Sequence, residues 1–193
     1  MNRLFPVFLK LEELHSLVVG GGYVATEKLT AILASSPNAR ITLVAPDIRD
    51  SIRTIAASNP LVTVERRPFE PGDLWGKDLV FVATNIPALN REIRELASVR
   101  HLLVNVADTP DLCDFYLSSV VQKGNLKLGI STNGLSPTLA KRLREVLTEA
   151  LPDNLEAAMH QLNTIREYLK GDFAQKVEEL NAITEGLIRK NIS

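Results

Sequence analysis

Val18-Val19-Gly20-Gly21-Gly22-Tyr23-Val24-Ala25 is the stretch that decides the fold. A compact apolar run over residues 16–19 ends in three glycines, and from 24 to 33 the apolar positions recur at helical spacing. The order is therefore strand, tight turn, helix. Within it, Gly20, Gly22 and Ala25 stand in a G-x-G-x-x-A pattern. Gly20 permits the tight turn, Gly22 leaves the backbone open to a pyrophosphate, and Ala25 lets the helix pack closely on the strand. The free amides of the helix N-terminus would then face the phosphates. A turn with no ligand shares the pattern, but the strand before it and the helix after it favour a dinucleotide.

Outward from this turn, strand-like and helix-like segments alternate. Strands are expected over 7–10, 41–45, 62–65, 79–83 and 102–106, and helices over 51–57 and 88–97. Leu79-Val80-Phe81-Val82-Ala83 is continuously apolar, as a strand covered on both faces must be. The alternation predicts an α/β, Rossmann-type, mostly parallel sheet. After Asp108 the pattern changes. Residues 115–121 and 126–131 read as two strands around Lys123-Gly124-Asn125, a hairpin signal. Ser136-Pro137 opens a helix, with Ser136 as N-cap and Pro137 at the first helical position. Two more helices follow, with Asp153 and Glu156, then Asp172 and Gln175, in N-cap arrangements. The organisation expected is a NAD-binding Rossmann domain over 1–112, a hairpin and helix serving dimerisation and substrate over 113–150, and a helical tail over 151–193. The three last helices carry apolar stripes, the first through Leu139, Leu143, Val146, Leu147 and Leu151. About 50 residues make too small a core to bury them all, which predicts packing on the first domain or a homodimer.

Composition narrows the function classes. With 22 Lys and Arg against 23 Asp and Glu, the net charge of −1 lacks the positive excess that general nucleic-acid or anionic-membrane binding requires. No apolar run approaches 18 residues, and the first residues lead straight into a strand-like segment, so neither a membrane span nor a signal peptide is expected. Cys113 is the single cysteine, which excludes an internal disulfide or multi-thiolate metal site and favours a reducing, cytoplasmic compartment. His15, His101 and His160 show no metal-ligand spacing, so no metal site is expected.

Three further places carry chemistry. Asp47, after Val44-Ala45-Pro46, sits at the end of the second Rossmann strand, where an acidic residue bonds the ribose 2′-hydroxyl of NAD; it serves equally as a helix N-cap. Asn105 and Asp108, in Asn-Val-Ala-Asp-Thr-Pro, fall at the carboxyl end of a strand, where open parallel sheets bind ligands. There Asp108 reads as a general base or as a cap on the turn before Pro110. Ser131-Thr132-Asn133-Gly134-Leu135-Ser136-Pro137 is a small polar loop entering a helix, suited to an anionic ligand; Lys141, Arg142 and Arg144 beyond it read better as a solvated basic face.

Taken together, Phe-Pro-Val-Phe-Leu-Lys-Leu, the glycine triplet with Lys28, Asn-Val-Ala-Asp-Thr-Pro and Gly-Leu-Ser-Pro-Thr-Leu-Ala-Lys-Arg-Leu-Arg resemble the precorrin-2 dehydrogenase/sirohydrochlorin ferrochelatase family of sirohaem synthesis, in register over about residues 3–151. The resemblance implies NAD-dependent oxidation of precorrin-2 to sirohydrochlorin. In many members ferrous iron is then inserted, as a substrate and not a bound cofactor. It also implies a proton-removing role for Asp108 in both steps, and cofactor contacts at Tyr23, Val24, Pro46 and Asp47 beside Gly20 and Gly22. Thr84, after the strand at 79–83, completes the expected cofactor set. Asn105, Thr132, Asn133, Gly134 and Ser136 are the expected contacts of the tetrapyrrole substrate, with Thr132 where some members carry serine. The methyltransferase domain fused in some members is not expected in 193 residues. Two rivals share the glycine turn: another Rossmann reductase of a small metabolite, and a non-catalytic nucleotide-sensing module.

Overall fold

The computed structural model describes residues 2–169 and 173–189. The chain divides into two compact units, 1–117 and 118–193.

The first unit is built on β1 (His15–Val19), β2 (Arg40–Val44), β3 (Val62–Glu65), β4 (Leu79–Val82) and β5 (Leu103–Val106), with helices α1 (Tyr23–Ser35), α2 (Asp50–Ser58) and α3 (Pro87–Val99) between them. The strands run in the order β3-β2-β1-β4-β5 and every pairing is parallel, as the sequence predicts. Alternation along each strand sends side chains to two separate cores. Val18, Leu79 and Phe81 join Ala25, Leu29 and Ile32 of α1 and Ile52 of α2 on one face. Leu17, Val19, Val80, Val82, Val104 and Val106 join Ile93 and Ala97 of α3 on the other. Sheet burial on both faces explains the unbroken apolar strand runs. The strand order reverses between β1 and β4, so the carboxyl ends of these strands form the crevice where such sheets take ligands.

Two expectations within this unit are corrected. Residues 2–10 adopt no regular structure, and Val7 and Phe8 are exposed. A run of β-formers becomes a strand only where a ladder partner and a covered face exist, and the sheet here ends at β3 and β5. Nor do residues 115–118 extend the hairpin. Their segment is held on the sheet instead: Asp114 N–H donates to Val104 O (2.8 Å), Asn105 Nδ2 donates to Phe115 O (2.9 Å), and the Phe115 ring meets Phe81 edge-on at 5.5 Å.

The second unit opens with the antiparallel hairpin β6 (Ser119–Lys123) and β7 (Leu126–Ile130), closed by the two residues Gly124 and Asn125 with Gly124 at φ +56°. Helices α4 (Pro137–Ala150), α5 (Leu155–Tyr168) and α6 (Phe173–Arg189) follow. Ser136 caps α4 as expected, its hydroxyl accepting from Leu139 N–H at 3.2 Å, with Pro137 in the first turn. Asp153 is not the cap of α5. Asn154 takes that place without a side-chain bond, because Asp153 pairs with Lys123 Nζ (2.7 Å), which also donates to Leu151 O (2.7 Å). Glu156 reaches back to the hairpin instead, accepting from Asn125 N–H at 2.7 Å. Asp172 lies outside the described residues. The stripe on α4 is largely open, with Leu139, Leu143 and Val146 all exposed.

Candidate functional site

Each glycine of the turn after β1 has its own reason. Gly20 sits at φ +126°, and a Cβ there would overlap the Ala83 carbonyl. Its N–H donates to Val44 O (3.0 Å), which ties the turn to β2. Gly21 has no place in the G-x-G reading, yet a Cβ there would overlap the carbonyl of Asp47, and its own carbonyl accepts from Arg49 N–H at 3.1 Å. The signal was available in the unbroken triplet, where the pattern asks for only two glycines. Gly22 is the N-cap of α1, and a Cβ built on it meets nothing within 4 Å. No side chain caps α1, so its first amides have no such partner. Open space beside uncapped helical amides is what a pyrophosphate needs. Ala25 is fully buried against the sheet.

Around this turn, Tyr23 is exposed and Val24 half-buried. Pro46 and Asp47 are exposed at the end of β2. Asp47 is not the cap of α2, a place held by Arg49, and its carboxylate lies 3.9 Å from Arg66 Nη2. The capping alternative for Asp47 is thereby removed. Thr84 is engaged locally: its hydroxyl donates to Asn90 Oδ1 (2.5 Å) and accepts from Ile86 N–H (3.2 Å), shaping the entry to α3.

At the same edge of the sheet, Val24, Glu27, Lys28, Ala31, Ala107, Asp108 and Leu117 line a cavity of about 310 Å³. Asp108 follows β5 in the left-handed region at φ +54° and is exposed. Such a conformation is uncommon outside glycine, although Asp and Asn adopt it more readily than other residues. The short turn at Pro110–Leu112 has Thr109 in its capping position, with no side-chain bond, so Asp108 is not the cap there. Asn105 is 5% exposed, and both ends of its amide are in use: Oδ1 accepts from Lys28 Nζ (2.7 Å) and Nδ2 donates to Phe115 O. It stands behind Lys28 and aims it. Burial lowers the Lys28 pKa from the ordinary lysine value, opposed by Cys113, Asp108 and Glu27. Lys28 was legible in the sequence only as part of a motif, with no role. Cys113 is structural here. Its sulfur contacts Val106 O (3.1 Å) and accepts from Val106 N–H (3.2 Å), and burial raises the thiol pKa.

The polar loop of the second unit is internally bonded. Ser131 Oγ accepts from Asn133 N–H and Thr132 Oγ1 from Ser136 N–H, both at 3.2 Å. Asn133 and Gly134 are left-handed, at φ +55° and +77°, and exposed. In α4, Arg142 pairs with Glu145 at 2.7 Å on an exposed face, the solvated reading of the basic residues. Among the described residues no group of three or more His, Cys, Asp or Glu is placed to hold a metal.

A five-stranded parallel sheet with a glycine turn at its reversal point and an open, uncapped helix start defines a Rossmann-type dinucleotide-binding protein. The family comparisons are more particular. Residues 7–119 match the family described as "Putative NAD(P)-binding", and the chain belongs to it. Residues 123–150 match the central region of sirohaem biosynthesis proteins. The chain is 37% identical over 171 residues to the siroheme synthase of Pseudoalteromonas atlantica, covering 89% of this chain and 36% of that protein. With the siroheme synthase of Nitrosomonas europaea it shares 35% identity over 147 residues, 76% of this chain and 30% of that protein. It thus spans about a third of the length of these relatives. Among solved structures, SirC, a precorrin-2 dehydrogenase, superposes with a TM-score of 0.75 at 29% identity, covering 98% of this chain and 94% of that one.

Proposed function

We propose that this chain oxidises precorrin-2 to sirohydrochlorin with NAD, and that ferrous iron is the second substrate of a following insertion that yields sirohaem. The observation that carries the reading is Asp108, held in a left-handed conformation on an open cavity at the carboxyl edge of the sheet that also bears the glycine turn. The end-to-end likeness to a precorrin-2 dehydrogenase supports the choice of substrate. Strained backbone at a cleft points to a functional constraint.

The chemistry divides between cofactor and chain. NAD, when bound, accepts a hydride from a carbon of the macrocycle. The chain does the rest. Gly20, Gly22, Tyr23 and Val24 hold the pyrophosphate end through backbone and open space. Asp47 takes the ribose hydroxyls, which favours NAD over its 2′-phosphorylated form, and Pro46 and Thr84 shape the walls. Asp108 accepts the proton that leaves as the hydride departs, so two hydrogens are lost and NADH and a proton are gained. The same carboxylate takes the two inner pyrrole protons that iron displaces one at a time, passing each to solvent. Asn105 positions Lys28, and Thr132, Asn133, Gly134 and Ser136 offer hydroxyls and amides to the carboxylates of the tetrapyrrole. The protein works as a homodimer in the cytoplasm. No described helix is long and apolar enough to cross a membrane.

The test is to supply precorrin-2 with NAD or NADP, with and without ferrous iron, and follow the visible absorption of sirohydrochlorin and sirohaem. NAD-dependent appearance of sirohydrochlorin is expected. NAD binding with no turnover of precorrin-2 would favour a nucleotide-sensing module instead.

A further inference from the structure

We propose that Lys28 is a substrate-binding residue: its ammonium, aimed by the buried Asn105, takes a carboxylate of the tetrapyrrole on the Asp108 cavity. This rests on the proposed precorrin-2 activity. The cavity lining carries two carboxylates, Glu27 and Asp108, and the cation Lys28. A macrocycle bearing many carboxylates is repelled by the first two. It needs a compensating charge at that spot if Asp108 is to reach its ring protons, and Lys28 is where that charge stands. An ammonium has three donors. One is spent on Asn105 Oδ1 at 2.7 Å, and among the described residues the other two make no hydrogen bond to a side chain. Asn105 in turn is locked by Phe115 O, so the aim is fixed from behind by a residue that is itself buried and bonded at both ends of its amide.

The alternative role for Lys28 is structural, as the partner that satisfies Asn105. Substitutions separate the two. Lys28→Gln keeps a hydrogen-bond donor for Asn105 and loses the charge, Lys28→Met loses both, and Lys28→Arg keeps the charge. The probe is sirohydrochlorin, titrated by its fluorescence against the full chain with NAD present, with melting curves to establish folding. A charge-assisted hydrogen bond corresponds to roughly 10- to 100-fold in affinity. Lys28→Gln and Lys28→Met should therefore weaken sirohydrochlorin binding, and raise KM for precorrin-2, by about that factor. NAD affinity should be unchanged, and Lys28→Arg should stay within a few-fold of the native chain. A folded Lys28→Gln that binds sirohydrochlorin as tightly as the native chain overturns the assignment. Failure of the native chain to bind sirohydrochlorin or oxidise precorrin-2 would instead remove the activity on which it rests.

Discussion

Asp108, the proposed base, also holds a left-handed backbone, and the two roles can be pulled apart by replacing it with glycine. At φ +54° the L-residue backbone is strained. For residues other than glycine the left-handed conformation costs about 1–2 kcal/mol, less for Asp, whose short polar side chain relieves part of it. Glycine removes this strain but adds unfolded-chain freedom that costs about 0.4–1 kcal/mol. The two effects nearly offset, so Asp108→Gly should melt within a few degrees of the native chain. Asp108→Ala keeps the strain without the polar relief and should lose about 1 kcal/mol, or roughly 2–8 °C in Tm. Turnover should behave differently. Both variants lose the proposed proton acceptor, and acid–base participation contributes about 10²–10⁴-fold. Both should therefore oxidise precorrin-2 that much more slowly, while calorimetric titration with NAD gives an affinity close to native. Loss of the carboxylate also withdraws one of the charges that hold up the pKa of Lys28. A native-like Asp108→Gly that turns over precorrin-2 at the native rate would refute the assignment of Asp108 as the base.

Three other outcomes follow from the geometry. Gly22→Asp should fold normally, because a Cβ there meets nothing within 4 Å, yet abolish measurable NAD binding by calorimetry, since a carboxylate would occupy and repel the pyrophosphate site. Sedimentation at micromolar concentration should give a homodimer, and Leu143→Glu with Val146→Glu on the exposed stripe of α4 should shift it to monomer; an unchanged dimer would place the interface elsewhere. His15 has its pKa lowered from 6.5 by burial, with Lys77 and Arg40 adding to the effect and Asp78 opposing it. The unfolded chain therefore binds its proton first, so stability should fall as pH drops through 6.5 towards the folded value, and His15→Gln should flatten that part of the pH–stability curve.

What could be read from the sequence was what short-range patterns encode. The apolar runs of the five strands, the glycine turn, the Gly124-Asn125 hairpin and the Ser136-Pro137 helix start each declare themselves within a few residues. Places where distant segments compete did not. Residues 7–10 have strand-like composition and no ladder to join. Asp153 has the spacing of a cap, but Lys123, 30 positions earlier, claims it. The Lys28–Asn105 bond spans 77 positions, so nothing local to either residue announces that one aims the other. Asp108 is intermediate: its location at a strand end was legible, and its left-handed backbone was not.

The bond from Arg49 N–H to Gly21 O, with Gly21 set against the Asp47 carbonyl, joins the glycine turn and the β2–α2 loop into one piece of backbone. Such a rim is shaped when the protein folds, and its ordering entropy is met then instead of at each encounter with ligand. Neither half can be lengthened, shortened or reshaped without disturbing the other. Engineering a preference for a 2′-phosphorylated dinucleotide would therefore have to work through side chains alone. The positions to change are 47, where a carboxylate stands exposed, and 66, whose guanidinium already lies 3.9 Å from it. Grafting this loop from another Rossmann protein would import a backbone set against Gly21, where the Asp47 carbonyl already leaves no room for a Cβ.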